Sequence, residues 1–205
     1  MSRPSRGAVI VATLLMLVSS VVAAQSPWSA SYAREAEGDF AGAIAALEPV
    51  LIAEPEHEFA LLRRGWLRYL NAEYNEAIRD YRRAQQLNPD SLEATLGLTL
   101  PLLAQRRWRE AAASAEQVIA VSPWNYYAQI RLMTAEEGLQ RWQSLAERAA
   151  AAAERFPSDA TIQVYLARAQ SALGNRAAAA QAYERVLERL PEHAEALDYL
   201  GTAGP

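Results

Sequence analysis

Apolar and small residues recur along this chain with a period of 34 positions, marked by Pro55, Pro89, Pro123, Pro157 and Pro191. Twelve residues before each proline stand Ala43, Ala77, Ala111, Leu145 and Ala179. Fifteen before stand Phe40, Tyr74, Trp108, Trp142 and Arg176, and eight before stand Leu47, Tyr81, Ala115, Ala149 and Tyr183. The pattern predicts a helix–turn–helix unit repeated five times. The proline cannot continue a helix and ends each second one. The small residue lets the two helices of a unit approach, and the aromatic side chain wedges between neighbouring units. One such unit cannot bury its apolar face, so the units must stack into a solenoid. First helices are expected near 28–37, 58–71, 91–104, 124–138 and 158–172, and second helices near 40–53, 74–87, 108–121, 142–155 and 176–189. A short last helix, 192–200, would close the open end of the stack. Asn88-Pro89-Asp90-Ser91 and Pro157-Ser158-Asp159 supply turn and N-cap chemistry between units. Pro49 and Pro101 fall inside expected helices, where each should remove a backbone hydrogen bond and bend the axis.

These columns resemble the tetratricopeptide repeat (TPR) family. Residues 58–91 match it best, through Leu61, Gly65, Tyr74, Ala77, Tyr81, Ala84 and Pro89. The first unit carries Gly38-Asp39-Phe40, Ala43 and Pro55, and the fifth carries Gly174, Ala179, Tyr183 and Pro191. The resemblance spans about residues 27–201 and implies an all-α fold: a right-handed α-solenoid of about five units over 25–193, with a short capping helix and tail over 194–205. Thr99, Pro101 and Leu145 depart from the family pattern, and Arg64 and Arg68 fall where partly buried residues are common. These departures bear on local helix register.

Ahead of the repeats, Arg3 and Arg6 precede an apolar run from Ala8 to Val18 and a small-residue stretch ending at Ala24. This is the pattern of a secretory signal peptide over 1–24, with an uncleaved membrane anchor as the competing reading. Either places the remainder outside the cytoplasm, in a periplasm or secreted, and membrane contact is expected only if the segment is uncleaved. The chain has no cysteine and no lysine, which excludes thiolate and Schiff-base chemistry and a lysine-bearing phosphate loop. Forty-three alanines favour helix. A net charge of −4 argues against nucleic-acid binding. Charge is segregated: residues 63–109 are net +4, between flanks of net −6 and −4. Solvated helix faces explain this, with electrostatic guidance of an acidic partner as the sharper alternative.

No catalytic constellation stands out, so an enzyme, a metal site and a cofactor are not expected. His57 and His193 sit at turns four units apart, and the neighbouring carboxylates Glu136-Glu137 and Glu35/Glu37 read as solvated helix faces. The family resemblance implies that first helices line a concave face. Its groove positions fall on Trp28, Tyr32, Phe59, Leu62, Trp66, Tyr69, Leu96, Leu100, Leu103, Tyr127 and Ile130, with Trp124 in the turn just before. A one-residue shift in register would instead turn Trp66 and Tyr69 into the core. The lysines and asparagines of the family's carboxylate clamp are missing from those positions. The leading expectation is a non-catalytic protein-interaction scaffold or adaptor of the bacterial cell envelope, holding an apolar or amphipathic segment of another protein in its groove. A carbohydrate-binding module using the groove aromatics, and a homo-oligomer that fills its neighbour's groove, are the alternatives.

Overall fold

A computed structural model describes residues 26–202; the expected signal peptide, 1–24, lies outside the described residues. Among the described residues there are twelve helices and no strand. The first unit contributes α1 (Pro27–Ala36), α2 (Phe40–Ala45) and α3 (Glu48–Ala53). Then come the pairs α4 (Glu58–Leu70) and α5 (Tyr74–Leu87), α6 (Leu92–Ala104) and α7 (Trp108–Val121), and α8 (Tyr126–Gly138) and α9 (Trp142–Arg155). The pair α10 (Ala160–Ala172) and α11 (Arg176–Arg189) and the final α12 (Ala194–Thr202) complete the stack. Consecutive helices pack on one another, and first helices also touch the first helices of the next unit.

The two prolines inside expected helices behave differently. Pro49 breaks the second helix of unit one into α2 and α3 and takes a place in the first turn of α3, where its missing N–H costs little. Pro101 stays buried within α6. Nearby, the Leu96 carbonyl accepts from Thr99 Oγ1 at 2.6 Å and from Arg131 of the next unit.

The repeated small column is the seam of the stack. Ala43, Ala77, Ala111, Leu145 and Ala179 are all fully buried. Trp108 acts as the expected wedge, because a Cβ placed on Gly138 of the following unit would run into its indole ring. Each first helix opens on a side-chain cap, in the order Ser26, His57, Ser91, Asn125 and Asp159. His193 repeats the device on α12, its Nδ1 accepting from Ala196 N–H at 3.3 Å. The two histidines are helix caps.

The expected register of unit two holds despite its arginines. Arg64 and Arg68 do turn inwards, where both pair with the buried Asp80 of α5 at 2.7 Å. Arg64 forks onto both carboxylate oxygens. The segregated charge of the sequence also interleaves in space: Arg79 pairs with Glu76, Arg82 and Arg107 with Glu110, and Arg83 with Glu56.

Between the two helices of each unit the chain turns through one left-handed residue: Gly38, Ala72, Arg106, Gln140 and Gly174, again 34 apart. Only two are glycine. The side chains at the other three meet the following carbonyl, a strain of about 1 kcal/mol each. Ala72→Gly and Gln140→Gly are therefore each expected to raise the unfolding free energy by about 1 kcal/mol, measured by urea titration.

The end of the stack is held by an ionic knot. Arg168 of α10 reaches Glu195 of α12 at 2.6 Å and Glu137 of α8 at 3.2 Å, and the Tyr183 hydroxyl donates to Glu195 at 2.6 Å. The Arg168 hydrogen bonds, helped by that of Tyr183, hold the Glu195 carboxyl below its ordinary value. A depressed carboxyl stabilises the fold above its unfolded pKa and loses that contribution as pH falls through the folded one. Acidification below about pH 4 should thus release α12 before the body of the stack melts, read by amide hydrogen exchange. Glu195→Gln should abolish that pH dependence.

Candidate functional site

The first helices of units one to four are adjacent in space, and their exposed sides form a groove. Over α6 it holds a cavity of about 270 Å³. Tyr32 of α1 lines it, with Phe59, Leu62, Arg63 and Trp66 of α4, Glu93, Leu96, Gly97 and Leu100 of α6, and Arg131 of α8. Tyr81 of α5 reaches the floor from behind. Phe59 and Tyr32 are about half exposed, at 44% and 50%, so the apolar lining is open to solvent. Trp66 stays on the groove side, its indole N–H donating to Glu35 Oε1 at 2.6 Å.

Of the twelve residues expected to line the groove, the structure brings six to this cavity: Tyr32, Phe59, Trp66, Leu96 and Leu100, and Leu62, which is buried and belongs also to the core. The other six lie elsewhere. Trp28 is half-buried against Phe59 and His57, at ring separations of 5.1 and 5.4 Å, and packs on the core. Leu103 and Ile130 also pack against core clusters. Tyr69 is drawn towards the helix turn by Trp66 and Tyr74, at 5.8 and 6.1 Å. Trp124 and Tyr127 are exposed at the start of α8, where Tyr127 meets Tyr126 edge-on at 5.5 Å.

Five lining residues escaped the sequence reading: Tyr81, Glu93, and the trio Arg63, Gly97 and Arg131. The trio shares one repeat position, 34 residues apart, and the columns that mark the fold do not include it. The glycine at 97 is required. A Cβ there would run into the Tyr81 ring, which occupies the space under α6. Burial in turn pushes the Tyr81 phenol above its ordinary pKa.

Of the four carboxylates read as solvated, Glu37 is exposed, Glu137 pairs with Arg168, and Glu136 and Glu35 are built in. Glu136 is 2% exposed and accepts from Ser144 at 2.6 Å and from Arg148 at 3.1 Å, tying α8 to α9. Glu35 is half-buried and pairs with Arg63 as well as Trp66. Neighbouring positive charges occupy both groups, so neither belongs to an acid–base pair. Among the described residues, no group of three or more histidine, aspartate or glutamate side chains is arranged to hold a metal.

With this geometry in place, comparison with known proteins identifies the class. The tetratricopeptide repeat profile matches residues 58–91, and a second profile of the same description matches 162–193. The chain thus carries tetratricopeptide repeats over both stretches. Among solved structures, MamA from Desulfovibrio magneticus RS-1 superposes with a TM-score of 0.74 at 19% identity, over 80% of this chain and 93% of that one. YrrB, described as a TPR protein with an unusual peptide-binding site, gives 0.71 at 15% identity, over 82% of this chain and 87% of its own. A thermophilic TPR protein of Thermus thermophilus, TTC0263, gives 0.61 at 17% identity, over 84% and 95%. At such identities the likeness concerns the fold. No curated protein matches the sequence.

Because Tyr81 fills the space beneath Gly97, Gly97→Ala should force the ring out of its slot. We expect a loss of about 2 kcal/mol in thermal or urea unfolding, as for other overpacked cores. Gly174→Ala, which has open space around its Cβ, serves as the control for backbone strain alone.

Proposed function

We propose that this chain is a non-catalytic protein-interaction scaffold of the bacterial cell envelope, which holds an apolar or amphipathic segment of another protein along its first-helix groove. The observation that carries the reading is the open cavity lined by Tyr32, Phe59, Leu62, Trp66, Leu96 and Leu100. Large apolar patches left wet on a folded chain mark interaction sites, and rigid aromatic side chains supply interface energy at low entropic cost. An extended or helical segment fits such a trough better than a compact surface does. The apolar N-terminal run of the sequence supports an extracytoplasmic setting.

The aromatic rim also bears on the carbohydrate alternative. Sugar recognition needs planar hydrogen-bonding side chains beside the rings; Arg63, Glu93 and Arg131 offer such groups, but share the wall with Leu62, Leu96 and Leu100, which suit an apolar segment better.

Tyr32→Ala with Phe59→Ala removes two half-exposed rings and should leave helical circular dichroism unchanged. Cross-linked complexes purified from native envelope fractions should contain proteins captured by the parent chain and depleted about tenfold or more by the double variant. Identical capture by both would exclude the groove as the docking site. Recovery of the parent chain only in the cytoplasmic fraction would exclude the envelope setting.

A further inference from the structure

The ion pairs that join neighbouring helices leave a set of arginines unused, and these are sorted by edge. The turns within units three, four and five, residues 104–109, 138–143 and 172–177, hold Arg106, Arg107, Arg109, Arg141 and Arg176 and no acid. Of the five, only Arg107 forms an ion pair among the described residues, with Glu110 in the first turn of α7. The turns between units lie at the other ends of the helices, and there the sign is reversed. Residues 54–57, 88–91, 122–125, 156–159 and 190–193 hold Glu54, Glu56, Asp90, Asp159 and Glu192 and no arginine. Charge placed only for solubility would be interspersed on both edges.

Arg106 sharpens the contrast. It is the left-handed residue of its turn, with φ 56°, at the position that units one and five give to glycine. A side chain there strains the backbone, yet this one is exposed and makes no hydrogen bond or ion pair among the described residues. Beside it Trp108 is wedged against Gly138 of unit four. A hollow of about 310 Å³ lies between the two turns, lined by Arg106, Arg107, Trp108, Arg109, Glu110 and Leu139. At the turn of unit five Leu173 is exposed.

We infer that this edge is a docking surface for an anionic phospholipid bilayer, on which the stack rests by the turns of units three to five. The cations stand at the tips of three successive turns and not along a cleft. A flat array of phosphates meets them together, whereas a single extended peptide would have no wall to lie against. Guanidinium forks onto phosphate oxygens, and tryptophan beside it suits the boundary between headgroups and acyl chains. Among the described residues no helix is long and apolar enough to cross a membrane, so the contact is peripheral. The negative charge of the whole chain does not oppose it. The acidic edge lies a helix length away, about 20 Å, and salt screens charges beyond ~8 Å. Each arginine held near an anionic surface strengthens binding about fivefold. This face is distinct from the groove, and its contact with lipid does not depend on a docked peptide.

Vesicle sedimentation tests the proposal, with the full chain and with a chain beginning at Gln25, which retains the whole of α1–α12. Circular dichroism establishes that the shorter chain is folded. The vesicles are phosphatidylcholine alone, or phosphatidylcholine and phosphatidylglycerol in equal parts. The chain from Gln25 should bind the mixed vesicles, leave the neutral ones, and be released as salt rises. Arg106→Gly combined with Arg141→Gln and Arg176→Gln should weaken binding about a hundredfold. Arg106→Gly alone should weaken it about fivefold and yet raise the thermal midpoint, because glycine relieves the left-handed strain. Arg155→Gln with Arg185→Gln removes charge elsewhere on the stack and should leave binding as it was. Should the shorter chain not fold, the anionic preference of the full chain and its loss in the triple variant are read instead. Equal binding to both vesicles, or a preference that survives the triple variant, overturns the inference. A comparable loss in the Arg155, Arg185 pair also overturns it, since attraction would then follow net charge. Vesicle binding by the full chain alone, with the shorter chain folded, would assign the contact to the N-terminal apolar run. Tighter binding of soluble polyglutamate than of mixed vesicles would make the edge a site for an acidic polypeptide; either result sinks the proposal.

Discussion

A two-helix unit of this length has too little interior to satisfy its own apolar residues, and everything else in the chain answers that shortage. Ala43, Ala77, Ala111 and Ala179 are sealed not by bulk of their own but by the closeness of the neighbouring helix. Leucines and aromatics fill what the alanines leave: Leu47, Leu67, Leu102 and Leu132 are fully buried, and Tyr81 and Tyr183 nearly so. Because the buried surface lies between units, stability follows the stack, and the last unit needs a closing element. That is the work of α12, whose Ala196 is buried and whose Tyr199 lies against Tyr183 at 4.7 Å.

Polar groups inside this alanine-rich seam act mainly as register marks. Asp80 between Arg64 and Arg68 can be satisfied in one alignment of α4 with α5, and Glu136 with Ser144 and Arg148 in one alignment of α8 with α9. Apolar side chains of similar size would tolerate sliding by a turn; a buried carboxylate cut off from its arginines would not. Glu35 does the same between units, joining α1 to Trp66 and Arg63 of α4. The groove aromatic Trp66 is therefore held from behind by a charged residue of the preceding unit, which fixes how the cavity wall stands.

The periodic backbone of the fold was legible from spacing because the seam uses the same kind of residue at each turn of the pattern. Pro55 to Pro191 and the alanine column place nearly every helix. Where physics allowed two outcomes, spacing could not decide. Pro49 splits a helix while Pro101 remains inside one, since the first sits beside an exposed turn and the second is packed on both sides. In the groove, Phe59, Leu62, Leu96 and Leu100 were legible as positions facing the concave side. Trp28 was not, because the end unit has no neighbour before it and its indole turns back onto Phe59 and His57. Glu136 read as a surface charge because its partners, Ser144 and Arg148, lie on a different helix and are not signalled by local spacing.

Arg63, Gly97 and Arg131 show what a repeat can hide. The columns that build the seam repeat because every unit faces the same packing problem, whereas one groove position can alternate between a long cation and no side chain at all. The glycine answers to the interior, where Tyr81 needs the room, and only incidentally opens the floor of the groove. The arginines tie first helices together, Arg63 to Glu35 of α1 and Arg131 to the Leu96 carbonyl and Thr99 of α6. Arg63 does so with its Nε and Nη2 buried and without an acceptor among the described residues, a cost that desolvation imposes on the folded chain. The seam decides which columns must repeat, and the contacts between first helices decide which side chains the groove can vary.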